Sequence, residues 1–450
     1  MNKKNSFIKI LLAIVSLIIT FFVWQQGLKE SLNRPSVSFD ISQKEIEIAE
    51  LAMPAVPENL KIFFPNSVRE EMKNSLVKIP YTDLTERSKI IWLSLQNPDK
   101  QIDEAYFNKF EKPIYINLSQ SIYKYYLDKS YKPSNEVIND LKNDKYLFNL
   151  LSDKFNFNKD KIITKRLANF MFLKLIIIRT IPIISILAGS ILVLKSLWRI
   201  LKSKTINWGD YEPLNLDVLD MILLVSGGFV VLGEVISPLI SITLVDLFSK
   251  NLTYEISQSL RIFFGYLFMA IPPLYIIYRQ IKIIDKQFSL KKDYFQFKIN
   301  PIKGSIYQGF KGWIMIVPFV LLTSLIMNLI VENQAGSNPL LEIVLNNNNY
   351  YAFILLFLTT TIIAPLFEEI IFRGVLLPVL ARDYGRTIGI LISSFVFALA
   401  HLSLNEFPPL FVLGIGLATT RLISGRLSSS IVMHSFWNGL TFLNLFLLRT

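Results

Sequence analysis

The chain has 450 residues, with 47 Lys and Arg against 35 Asp and Glu and a net charge of +12. Apolar residues make up 52% and charged residues 18%, against roughly 25% charged in a soluble globular protein, so the chain reads as a polytopic membrane protein with one polar insert. It has no cysteine, which excludes disulfides, thiol nucleophiles and Cys-ligated metal sites.

Residues 1–25 begin with two lysines and run apolar from Phe7 to Trp24. No small-residue cleavage site follows the bulky Phe21-Phe22-Val23-Trp24, so the segment reads as an uncleaved membrane anchor. Residues 26–168 are rich in Lys, Asp, Asn, Tyr and Phe, with eight prolines and no histidine. Helical spacing behind a capping Ser134 predicts a small, mostly helical domain there. From about Phe170, apolar runs of bilayer length return. They lie near 174–194, 218–246, 260–278, 312–331, 351–371, 387–404, 409–423 and 428–447. The fold class expected is an all-α polytopic membrane protein with about nine transmembrane helices. Residues 169–300 form accessory spans and a basic loop, and 301–450 form the core with the chemistry. The run 218–246 is either one long helix or a broken one.

Basic residues gather at the N-terminus, at Lys195–Lys204, in the 279–311 loop, at Arg382/Arg386 and at Arg421/Arg426. Segments 332–349 and 403–409 have none. The positive-inside rule then places the N-terminus inside, the C-terminus outside and the 26–168 domain outside the cytoplasm. Short basic loops beside spans suit anionic lipid heads, so membrane lipids are expected partners and nucleic acid is not.

Polar clusters interrupt the C-terminal spans. In Pro365-Leu-Phe-Glu368-Glu369-Ile-Ile-Phe-Arg373, two carboxylates and an arginine sit in an apolar stretch, where charges are costly and mark function. Glu369 and Arg373 are four apart and pair on one helix face, which leaves Glu368 for general-base work. Phe397 precedes His401 by four residues, and His434 precedes Asn438 by four. His401 and His434 are the only histidines, and both fall in the last 50 residues. Two mechanisms fit this set. Glu368, His401 and His434 match a catalytic zinc site with an open position for water. Alternatively, Glu368 activates water directly, His401 shares its proton, and His434 with Asn438 holds the oxyanion.

The three motifs, in this order, resemble the CPBP intramembrane endopeptidases, which include type II CAAX prenyl proteases and bacteriocin-processing (Abi) proteins. The resemblance covers about 311–450. It implies a helical core with a water-accessible cavity. It assigns Glu368 as the water-activating residue, Glu369 and Arg373 as its support, and His401, His434 and Asn438 to the same cavity. It leaves zinc or a glutamate-only reaction open. The implied substrates are membrane-bound peptides or proteins. Richness in Lys, Asn, Ile and Phe points to an AT-rich bacterial genome, hence to leader peptides or single-span proteins in a plasma or internal membrane. A non-catalytic scaffold or immunity factor of the same fold and a proton-coupled transporter are the competing functions. One depth conflict arises. A span ending at 371 puts Glu368 at a helix end, while His401 lies about 20 Å along the next helix. A helix reaching about residue 380, kinked at Pro365, resolves it. Among the other charges, Glu234 is a cavity residue, or an interfacial one if its helix breaks, and Lys174 and Arg179 snorkel.

Overall fold

Inside a bilayer, a chain must satisfy its own backbone N–H and C=O groups, and a helix does so within one segment. The computed structural model describes residues 3–32, 37–64, 67–97, 103–156, 164–202, 205–211, 213–288, 297, 302–330, 339–347 and 349–449, and among them there are helices and no strand. Helix α1 (Lys3–Ser31) opens the chain. The polar region follows with α2 (Val37–Ala52), α3 (Val68–Val77), α4 (Glu86–Leu95), α5 (Pro113–Leu127), α6 (Asn135–Leu141) and α7 (Lys145–Phe155). Then come α8 (Lys165–Leu201), α9 (Val218–Phe248), α10 (Tyr254–Phe288), α11 (Ile302–Ile330), α12 (Pro339–Asn346), α13 (Tyr350–Tyr384), α14 (Arg386–Leu399), α15 (Phe407–Ser424) and α16 (Leu427–Leu447).

The described residues include seven helices long and apolar enough to cross a membrane: α1, α8, α9, α10, α11, α13 and α15. The expected count of nine also took in α14, which has only 14 residues, and α16, which is interrupted by Ser428–Ser430, His434 and Asn438. The chain is an integral, multi-pass, all-α membrane protein. Much of the basic loop expected over 279–311, and residues 331–338, lie outside the described residues.

Two compact units emerge: Met1–Val37 with Pro182–Phe446, and Ser38–Ile181 with Leu447–Thr450. In the second, Ser67, Thr85, Ser134 and Asp144 each accept a hydrogen bond from the backbone N–H three residues on and so start their helices. Ile48, Leu51, Met72, Leu76, Ile90 and Leu151 fill its core. Arg87 ties three elements together. It binds Glu47 of α2 and, at 2.6 Å, the α7 cap Asp144. Burial works against the Asp144 charge, but Arg87 and the Leu147 N–H outweigh it and hold the carboxyl below its usual range. Lys174 and Arg179 do not snorkel. Lys174 is buried and donates to the Arg449 carbonyl at 2.6 Å, and Arg179 pairs with Glu45 at 2.9 Å. A protein partner within reach competes well with a distant headgroup.

In the first unit, the small residues of α15 allow the close approach that membrane helices need. A Cβ on Gly414 would lie 2.9 Å from Ser394 Cβ of α14, and one on Gly416 would lie 2.7 Å from Ile316 of α11. Helix α9 does not break. It widens into a π-helix over Leu223–Ile236, and its Glu234 accepts from Trp24 Nε1 of α1 at 3.3 Å. Two arginines expected at lipid heads have protein contacts instead. Arg421 is fully buried, and Arg382 donates to the carbonyls of Leu214 and Leu216.

Candidate active site

Helix α13 runs 35 residues, to Tyr384, which centres Glu368 and removes the depth conflict. It is not uniform. Wide π-helical stretches at Thr359–Ile363 and Ile370–Leu376 flank the short α-segment Ala364–Glu369 that holds Pro365 and both glutamates. In the wide register, the Ala364 N–H reaches back to Thr359 O. Pro365, next in line, has no N–H, so the Thr360 carbonyl lacks its donor. Asn438 Nδ2 of α16 supplies one at 2.9 Å.

Glu369 and Arg373 are both fully buried. Arg373 donates to Glu369 Oε1 at 2.8 Å and to the Gly414 carbonyl at 3.3 Å. Its guanidinium also lies 4.2 Å from the centroid of the Phe397 ring, a cation–π contact in a site shielded from water. His434 Nδ1 meets the same Glu369 oxygen at 2.9 Å. A carboxylate paired with arginine only accepts, so Nδ1 carries the proton and Nε2 is turned toward Glu368 Oε2, 3.9 Å away. That Oε2 is buried and has no hydrogen-bond partner among the described residues. The two adjacent glutamates therefore differ: Glu369 takes both donors on Oε1 and keeps only Oε2 unpartnered, while Glu368 Oε2 has His434 Nε2 facing it without a hydrogen bond.

His401 lies just past the end of α14. Its Nδ1 donates to the Phe397 carbonyl at 2.8 Å, which leaves Nε2 as a lone pair in the neutral ring. The Phe397 ring is 4.8 Å from the His401 ring and 5.7 Å from the His434 ring. It thus packs against both histidines and Arg373. Leu402, next to His401, has φ +49, a conformation that costs a branched side chain energy. Helix α1 supports it. Leu402 seats against Gly27, where a Cβ would lie 2.9 Å from it, and the Leu404 N–H donates to Ser31 Oγ at 3.2 Å. Of the six expected residues, Glu369 bonds directly to Arg373 and His434, with Glu368 beside them, His401 reaches the group through the Phe397 ring, and Asn438 bonds Thr360 rather than either glutamate. Neither the Gly414 carbonyl nor the Leu402 support has a sign in the sequence. Thr359-Thr-Thr361, a polar run in an apolar stretch, was the available sign of the Thr360 contact.

A family model described as type II CAAX prenyl endopeptidase, Rce1-like, matches residues 350–440, which hold all six residues. This segment belongs to the CPBP/CAAX protease family. The Rce1-like match spans 91 of the 450 residues and starts at α13, so α11, inside the resemblance expected over 311–450, lies before it. A second model, a domain of unknown function, matches residues 38–173. No curated protein and no solved structure matches the chain.

The expected zinc set was Glu368, His401 and His434. Among the described residues, no three His, Asp or Glu side chains form a group able to hold a metal ion. His434 bonds Glu369 and only faces Glu368, at 3.9 Å, while His401 packs on Phe397. These residues do not fit a three-ligand zinc site, and no step below runs through a metal.

Proposed function

We propose that the chain is an intramembrane endopeptidase in which Glu368 activates water. The observation that carries this reading is that Arg373 and His434 both bind Glu369, through its Oε1, while no donor among the described residues reaches the buried Glu368 Oε2 beside them. Glu368 takes a proton from a water molecule as its oxygen attacks the scissile carbonyl carbon, and the C=O electron pair moves onto oxygen. The second N–H of Asn438 is a donor for that oxyanion. Collapse breaks the C–N bond, and Glu368 returns its proton to the departing amine. His401 Nε2, a free acceptor, shares the proton traffic. Glu369 orients His434, as the third member of a catalytic chain orients its base.

The substrates on this reading are membrane-associated proteins or leader peptides. The alternation of basic loops puts the 26–168 domain outside the cytoplasm, where it presents or filters them. The test is to compare protein N-termini in membranes of cells carrying the wild type or Glu368→Gln. New termini that vanish in the variant establish the protease and name its substrates. Identical termini, with the variant stably expressed, would return the chain to a scaffold reading.

A further inference from the structure

Helices α8 and α11 touch closely at one point, where a Cβ on Gly189 would lie 2.2 Å from the Ile314 carbonyl. On the basic side of this point, a cleft of about 650 Å³ opens between α8, α11 and α15. Its walls divide by chemistry. Ile316, Phe319 and their neighbours make an apolar wall, while Arg199, Lys311, Gln308 and Thr419 make a polar one. The lining stretches 193–200, 205–207, 308–319 and 415–423 contain no Asp or Glu. Among the described residues, neither Arg199 nor Lys311 has a carboxylate at ion-pair distance. The depth is marked by Trp198, exposed on α8 with Lys202 Nζ 4.6 Å from its ring centroid, the placement of an aromatic at headgroup level. The cleft shares α15 with the catalytic cluster, since Gly416 lines it and the Gly414 carbonyl holds Arg373.

We propose that this cleft binds an anionic phospholipid, with the phosphodiester between Arg199 and Lys311 and an acyl chain along Ile316 and Phe319. Two cations with no carboxylate partner among the described residues, over an apolar slot whose described lining holds no acid, complement a lipid that is charged at one end and greasy at the other. A neutral lipid leaves the cations unanswered, and a free anion leaves the slot unfilled.

The test uses the full chain in a neutral detergent and follows its melting temperature. It is titrated with dioctanoyl-phosphatidylglycerol, dioctanoyl-phosphatidylcholine or inorganic phosphate. Phosphatidylglycerol is expected to give a saturable rise that the other two lack. In Arg199→Gln/Lys311→Gln, its half-saturation should move up roughly tenfold or more. Lys195→Gln/Lys202→Gln removes two equally basic side chains outside the cleft and should respond like wild type. Should the first pair not fold, each single change is read alone and should shift the midpoint in the same direction. An unchanged midpoint overturns the proposal. So does an equal response to phosphatidylcholine or phosphate, or an equal loss in the control pair.

Discussion

His434 Nδ1 sits 2.9 Å from Glu369 Oε1, and 65 residues separate the two in the chain. That bond fixes the proton on Nδ1 and aims Nε2 at Glu368. It also gives the two glutamates opposite sensitivities. Glu368→Gln should abolish proteolysis, by at least about a hundredfold, and leave the melting temperature nearly unchanged. Glu369→Ala takes away the carboxylate that Arg373 hydrogen-bonds and leaves a buried guanidinium without its paired partner, a cost of about 3–5 kcal/mol. Thermal melts of both variants beside the cleavage assay separate the roles.

Phe397 touches three parts of the site. Phe397→Ala opens a cavity beneath Arg373 and both histidines and should cost about 3–5 kcal/mol. Phe397→Leu restores most of the volume but not the ring face under the guanidinium. It should melt closer to wild type and still lose activity. Equal activity of Phe397→Leu and wild type would reduce the ring to filler.

Helix α1 lies outside the matched segment yet supports the residue after His401. Gly27→Leu puts a side chain where Leu402 now rests, and the loop carrying His401 must move. The expected result is a lower kcat with α1 still inserted, read by cleavage and by membrane fractionation. Ser31→Ala, which removes one hydrogen bond to the Leu404 N–H, should cost only about 1 kcal/mol of local stability.

In the 38–181 unit, Lys154 donates to the Ser94 carbonyl at 3.0 Å over the Tyr126 ring. Burial pushes its pKa down to about 8. Between that value and the ordinary lysine range, the folded chain binds fewer protons than the unfolded one, so stability rises with pH from about 8 to about 10. Burial holds Tyr81 and Tyr126 protonated above their ordinary value, so the trend reverses beyond about 10 as unfolded tyrosines ionise. Urea midpoints read by proteolysis within 38–173 should climb through that window in wild type and stay flat in Lys154→Met.

The sequence showed best what lies one helical turn apart. Glu369 with Arg373, Phe397 with His401, and His434 with Asn438 each follow from a spacing of four. Which helices meet was not legible, because Arg373 finds a backbone carbonyl on α15 that any residue type would offer. The positive-inside reading could not tell Arg421, buried in the last turn of α15, from a cation facing lipid heads, since both stand near the end of an apolar run. The lipid-facing reading of Lys174 failed because Arg449, its partner, is 275 residues away.

The wide turns of α13 place part of the site's information in the length of the chain rather than in its letters. A π-helical turn is an α-helix carrying surplus backbone. Removing one residue between 370 and 372 would let the helix tighten into a more regular form. Every side chain beyond the cut would then swing by about 100° relative to those before it. Glu368 and Glu369 would keep their identities but lose Arg373 from their face. Such a deletion would erase the site while improving the helix that bears it.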